Sequence, residues 1–130
     1  MKNLTTTGRV LFALPFAIFG LNHFLMVDFF TGMLNSFIPG TSFTIILTGF
    51  ALIAASISII IKKYIKLSCI LLAILLLLFI ITIHIPKLFA EDEVTRMVSM
   101  VALLKDTSLM GGALMIAGIY KKEENEIGIL

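Results

Sequence analysis

Residues 103–120, LLKDTSLMGGALMIAGIY, place an adjacent cation and anion, Lys105 and Asp106, inside an otherwise apolar segment. On insertion scales an Asp or Lys near a helix centre costs about 2.5–3.5 kcal/mol, while each Leu, Ile or Val returns only about 0.3–0.6 kcal/mol. The nine Val, Leu and Ile residues between Val94 and Tyr120 therefore return roughly 3–5 kcal/mol against a cost of about 5–7. Alone, such a helix inserts poorly. Its neighbours must supply polar partners, so the stretch predicts a helical membrane bundle with a buried polar centre.

Composition agrees. At 130 residues, 59% hydrophobic, 14% charged and with mean hydropathy +1.10, the chain has too little polar surface to cover a water-soluble globule. Uncharged runs at 10–27, 38–61 and 67–83 each reach the length needed to cross a hydrocarbon core of about 30 Å. With 94–120 they make four spans, and none alternates with the period of a barrel strand. The expected fold is an all-α, integral-membrane four-helix bundle, one transmembrane domain over 1–130, with helices at about 6–26, 43–61, 65–85 and 94–120. No small-x-small cleavage site follows the first run, which continues into Gly20-Leu21-Asn22-His23-Phe24. That predicts a retained helix rather than a cleaved signal.

Lys2, Arg9, Lys62, Lys63, Lys66, Lys121 and Lys122 fall at one set of span ends, Lys87 and Arg96 at the other. The asymmetry predicts cytoplasmic N and C termini. A formal charge of +2 is thus a topology signal, with no nucleic-acid partner implied. Cys69 is the single cysteine, so neither an internal disulfide nor dithiol exchange is available, and it reads as a small buried hydrophobe.

Along the chain, Thr5, Thr6 and Thr7 are candidate N-caps, Arg9 is expected to snorkel toward headgroups, and Pro15 to bend the first helix. Phe12, Phe16, Phe19 and His23 share one face, read as packing surface or ligand box. The loop 28–42 mixes Phe29, Phe30, Phe37 and Pro39 with polar residues, as an interfacial segment or an aromatic belt does. Gly49 lies in the second helix, where Ala51–Ala55 and Ala54–Ser58 have the small-xxx-small spacing of close packing. In the fourth helix Ser108–Gly112 and Ala113–Ala117 share it, with Gly111 between. The third helix is a dense Leu and Ile run with no small face, expected to meet much lipid and to end at Pro86. Acids at 91–93 match the positive end of the fourth helix, and the tail 121–130 is expected to fray.

Counting about 1.5 Å per residue from Arg9, Lys66 and Lys121 puts His23 about 21 Å, His84 about 27 Å and Lys105 about 24 Å in. Asn22 and Asp106 share that level, in the outer half of the membrane. Neighbours on a helix point about 100° apart, so Lys105 and Asp106 cannot fully satisfy one another. His84 or His23 is expected to meet Asp106, and Asn22 or Asp28 to meet Lys105. The cluster reads either as a structural ion network fixing helix register or as a binding site. No helix carries histidines at metal-ligand spacing, and no metal is assigned.

Three motifs in order resemble the DoxX family of small four-helix bacterial membrane proteins. They are Arg9-Val10-Leu11-Phe12 leading to Phe19-Gly20-Leu21-Asn22-His23-Phe24, then His84-Ile85-Pro86-Lys87-Leu88-Phe89, then Lys105-Asp106-Thr107-Ser108-Leu109-Met110-Gly111-Gly112-Ala113-Leu114. The Arg9 start with Gly20 and His23, and Lys105-Asp106 before Leu109 and the paired Gly111-Gly112, are similar to the family's first- and fourth-helix patterns. The resemblance implies a multi-pass protein of the bacterial inner (cytoplasmic) membrane, associated with redox complexes. Its expected ligand is quinone-like or another small hydrophobic molecule near Asn22, His23, His84, Lys105 and Asp106. The alternatives are a non-enzymatic scaffold or assembly factor recruiting a membrane partner or a second copy through its small-residue faces, and a small transporter. No discontinuous helix or repeated Gly/Pro break points to the last.

Overall fold

Long apolar runs without a breaker satisfy their own backbone by coiling, and the computed structural model follows that logic. It describes residues 2–31 and 41–126, the side chains of 2, 30, 31, 41 and 121–126 excepted. The elements are α1 (Lys2–Leu25), α2 (Val27–Thr31), α3 (Thr41–Ile60), α4 (Ile65–Phe79), a π turn (Ile80–His84), α5 (Ile85–Lys87) and α6 (Glu93–Glu126). Among the described residues there is no strand. Most of the aromatic loop, residues 32–40, and the tail end, 127–130, lie outside the described residues.

Among the described residues, four helical stretches are long and apolar enough to cross a membrane: Asn3–Leu25, Ser42–Ile60, Ile65–Lys87 and Glu93–Tyr120. Only 17–33% of each apolar window is buried within the chain. Most of the remaining Leu, Ile, Val and Phe side chains face outward, an apolar surface of the kind that membrane-spanning helices present to lipid.

The buried positions of α1 are Arg9, Ala13, Phe16, Gly20 and His23, and those of α3 are Ile45, Gly49, Leu52, Ser56 and Ile59. Both series step by four and three, the spacing of a knobs-into-holes seam. The antiparallel seams meet in layers: Arg9 with Ile59, Ala13 with Ser56, Gly20 with Gly49. Ser56 Oγ–H donates to the Ala13 carbonyl at 2.8 Å. At the Gly20–Gly49 layer the backbones come so near that a Cβ on either glycine would lie 3.0 Å or less from the other's carbonyl oxygen. α4 packs along α6 in the same way, with Cys69, Leu72, Ala73 and Leu76 buried against Ala113, Ala117 and Tyr120. Between the two pairs the backbones approach chiefly where α3 turns into α4.

Arg9 does not snorkel: its Nη1 donates to the Ile59 and Ile60 carbonyls at 2.5 and 2.6 Å, closing the C-terminus of α3 where the helix dipole is negative. The threonines at 5–7 lie inside α1, which starts at Lys2. Ala51, Ala54 and Ser108 are exposed, and a Cβ at Gly111 would meet nothing within 4 Å. The seam on α3 is set by Gly49 and Ser56 instead, because alanine spacing recurs on more than one face of a helix. α4 does have a small face, Cys69 and Ala73, both buried. The third span runs past Pro86 to Lys87, and α6 continues to Glu126.

The turns are tight. Lys63 N–H reaches Ser58 O at 3.0 Å and Lys62 N–H reaches Ile59 O at 3.4 Å, a Schellman closure with Lys62 at φ 61°. Tyr64, at φ 58°, then opens α4. Ser68 Oγ–H donates to Ser58 Oγ at 2.6 Å, and Ser58 Oγ–H to the Lys63 carbonyl, which ties the hairpin. At the other end Asp92 caps α6, accepting from Thr95 Oγ1 at 2.7 Å and Thr95 N–H at 3.2 Å. Arg96 holds the same loop through the Ala90 and Glu91 carbonyls.

Candidate functional site

Two pairs, each with its own seam, leave a gap between them. Phe12, Phe16 and Phe19 of α1 face Leu75, Leu76 and Phe79 of α4 across a cavity of about 620 Å³, within the span of about 300–1,000 Å³ usual for small-molecule sites. The wall is overwhelmingly apolar. Its titratable groups are His23, His84, Lys105 and Asp106, and they gather toward the end of the bundle away from Arg9. From Phe12 to His23 the slot runs about 16 Å along α1.

His84 reaches the site because of the π turn. Pro86 has no N–H and its ring crowds the carbonyl four residues earlier. The helix widens just ahead of it, with Ile85 N–H bonded to the Ile80 carbonyl. Such insertions re-aim side chains within a helix and recur at functional sites. His84 Nε2 thereby lies 2.8 Å from Asp106 Oδ2. Asp106 is buried, and its Oδ1 stands 3.6 Å from Lys105 Nζ. Lys105 is half exposed and lies 5.6 Å from the centre of the Phe19 ring, so its charge is shared between a neighbouring carboxylate and an aromatic face.

His23 is buried on α1, its Nδ1 2.8 Å from the Phe19 carbonyl and its ring 5.4 Å from that of Phe19. Of the two histidines at the expected depth, His84 is the one on Asp106. Lys105 meets Asp106 and Phe19 rather than Asn22 or Asp28. Asn22 is half-buried and does not line the cavity, and Asp28 is exposed. Gly20 and Gly49 form the close crossing beside His23, Gly112 lies against Phe12, and Ser108 and Gly111 face outward. Among the described residues no three of His, Cys, Asp and Glu converge as metal ligands.

Chemically, the arrangement offers an imidazole oriented by a buried carboxylate, a nearby ammonium and a long apolar wall. An oriented imidazole can exchange a proton or hydrogen-bond a polar head, while the wall accepts a hydrophobic body. Phe19 organises both His23 and Lys105, a role its place in the aromatic stripe did not distinguish from packing. No protein-family model, curated protein or solved structure matches the chain.

Proposed function

We propose that this chain is a DoxX-like, multi-pass protein of the bacterial cytoplasmic membrane with both termini on the cytoplasmic side. In this reading it is a redox-associated subunit that binds a quinone-like or similar small hydrophobic ligand. The ligand's head lies among His23, His84, Lys105 and Asp106, and its body lies along Phe12, Phe16 and Phe19. The observation that supports this is the segregation inside one cavity: titratable side chains at one end, hydrocarbon and aromatic rings along the rest. The test is equilibrium binding of a short-chain benzoquinol, under argon, to the purified protein in nanodiscs, wild type against His84→Ala. A clear loss of affinity with unchanged thermal stability supports the site, and equal affinity removes it.

A second reading is favoured by one contact pattern. Asp106 already has one oxygen on His84 and the other facing Lys105, as a network that only fixes helix register would have. The chain would then be a scaffold or assembly factor, and the outward small residues Ala51, Ala54 and Gly111 would receive a membrane partner or a second copy. Crosslinking in native membranes should in that case recover a stable larger assembly.

A further inference from the structure

We infer that His84 presents a hydrogen-bond acceptor to the cavity, so that the ligand's head is a donor, a hydroquinone or other phenolic hydroxyl, in preference to the corresponding carbonyl form. This rests on the reading of the cavity as a ligand site and adds the redox form it selects. An ionised carboxylate can only accept, so the 2.8 Å contact between Asp106 Oδ2 and His84 Nε2 puts the hydrogen on Nε2. Lys105 already balances the charge of Asp106. The form of His84 that can accept from a ligand is the neutral imidazole. Neutral imidazole with hydrogen on Nε2 keeps a lone pair on Nδ1. Nδ1 makes no hydrogen bond among the described residues, and His84 lines the cavity.

Lys105 is donor only. A phenolic oxygen can donate to Nδ1 and accept from Lys105 together. A quinone carbonyl can use Lys105 but sets its own lone pair against that of Nδ1. Unpaired polar groups in an enclosed site cost enough to separate the two forms by roughly ten- to a hundredfold. Asp106 acts here through His84, as a positioning residue.

The experiment compares a short-chain benzoquinone with its quinol, under argon, on the protein in nanodiscs. Quinol is expected to bind at least about tenfold more tightly. In Asp106→Asn the amide can donate to Nε2, which leaves the hydrogen on Nδ1 and should bring the ratio to one or below while the quinone still binds. Nitrogen NMR of histidine-labelled wild type gives an independent reading, with a protonated-type signal expected at Nε2 and an unprotonated one at Nδ1 of His84. Equal affinities, tighter quinone binding in the wild type, or hydrogen found on Nδ1 overturn the inference and leave the cavity reading standing. Binding of neither form overturns both.

Discussion

Gly20 and Gly49 cross so closely that a Cβ on Gly20 would stand 2.8 Å from the Gly49 carbonyl oxygen and 2.7 Å from Ile53 Cγ1. The isoleucine can rotate away, but the backbone oxygen moves only if α1 and α3 separate. Gly20→Ala is therefore expected to destabilise the protein by about 1–3 kcal/mol, the range for overpacked contacts. Gly111→Ala is the control, since open space lies beside it and Ala is the better helix former by about 0.8–1 kcal/mol. Unfolding in detergent should lower the Tm of the first variant only.

That crossing also marks how far the sequence could be read. Four helices follow from run length and hydropathy alone, and a shared depth for His23, His84 and Lys105 follows from counting residues. The choice of face does not. Gly49, Ala51, Ala54, Ala55 and Ser58 all offer small surfaces within one helix, and only the partner's position decides which is covered. Arg9 misleads for a similar reason. A long cationic side chain near a span end can reach headgroups or carbonyls, and the α3 terminus that accepts it lies 50 residues away along the chain. The π turn leaves no mark in hydropathy, so the sequence leaves His84 and His23 as equal candidates for Asp106.

Arg9 is buried with Nε unpartnered, and its Nη1 serves two carbonyls. Arg9→Met is expected to cost about 1.5–3 kcal/mol, the usual worth of hydrogen bonds to a charged group. Arg9→Lys should recover only part of this, because an ammonium lacks the guanidinium's forked donors. The same detergent unfolding measures both, and faster amide exchange at the end of α3 should accompany the loss.

Tyr64 holds φ 58° with an exposed side chain, a conformation that costs a residue with Cβ about 1–2 kcal/mol. Tyr64→Asn is expected to stabilise the hairpin by about 0.5–1 kcal/mol, since asparagine tolerates this region. Unfolding in detergent tests it, because there no lipid interface rewards the tyrosine ring.

The Thr95 hydroxyl, and then its amide, hold the Asp92 carboxyl below the usual carboxylate range. A depressed folded-state value means that the cap's contribution is whole above the unfolded value of about 3.9 and fades as pH falls through the folded one. Amide exchange at the start of α6 should therefore be protected at neutral pH and lose protection only in that acidic window. Asp92→Ala should remove the protection at neutral pH and flatten the pH dependence.

His84 depends on Pro86 for its aim. Leu76 and Ile80 are buried against the bundle and fix the stem of the third span, so any change in the turn above them must rotate the outer segment. Pro86→Ala restores a backbone donor and removes the crowding of residue 82. A regular α-helix then carries His84 about 100° around the axis and away from Asp106. In the wild-type background a double-mutant cycle between His84→Ala and Asp106→Ala should give a coupling of about 1.5–3 kcal/mol. With Pro86→Ala that coupling should fall toward zero while α4 keeps its packing. A coupling that persists undiminished would mean that α6, through Asp106, holds the π turn open rather than the proline.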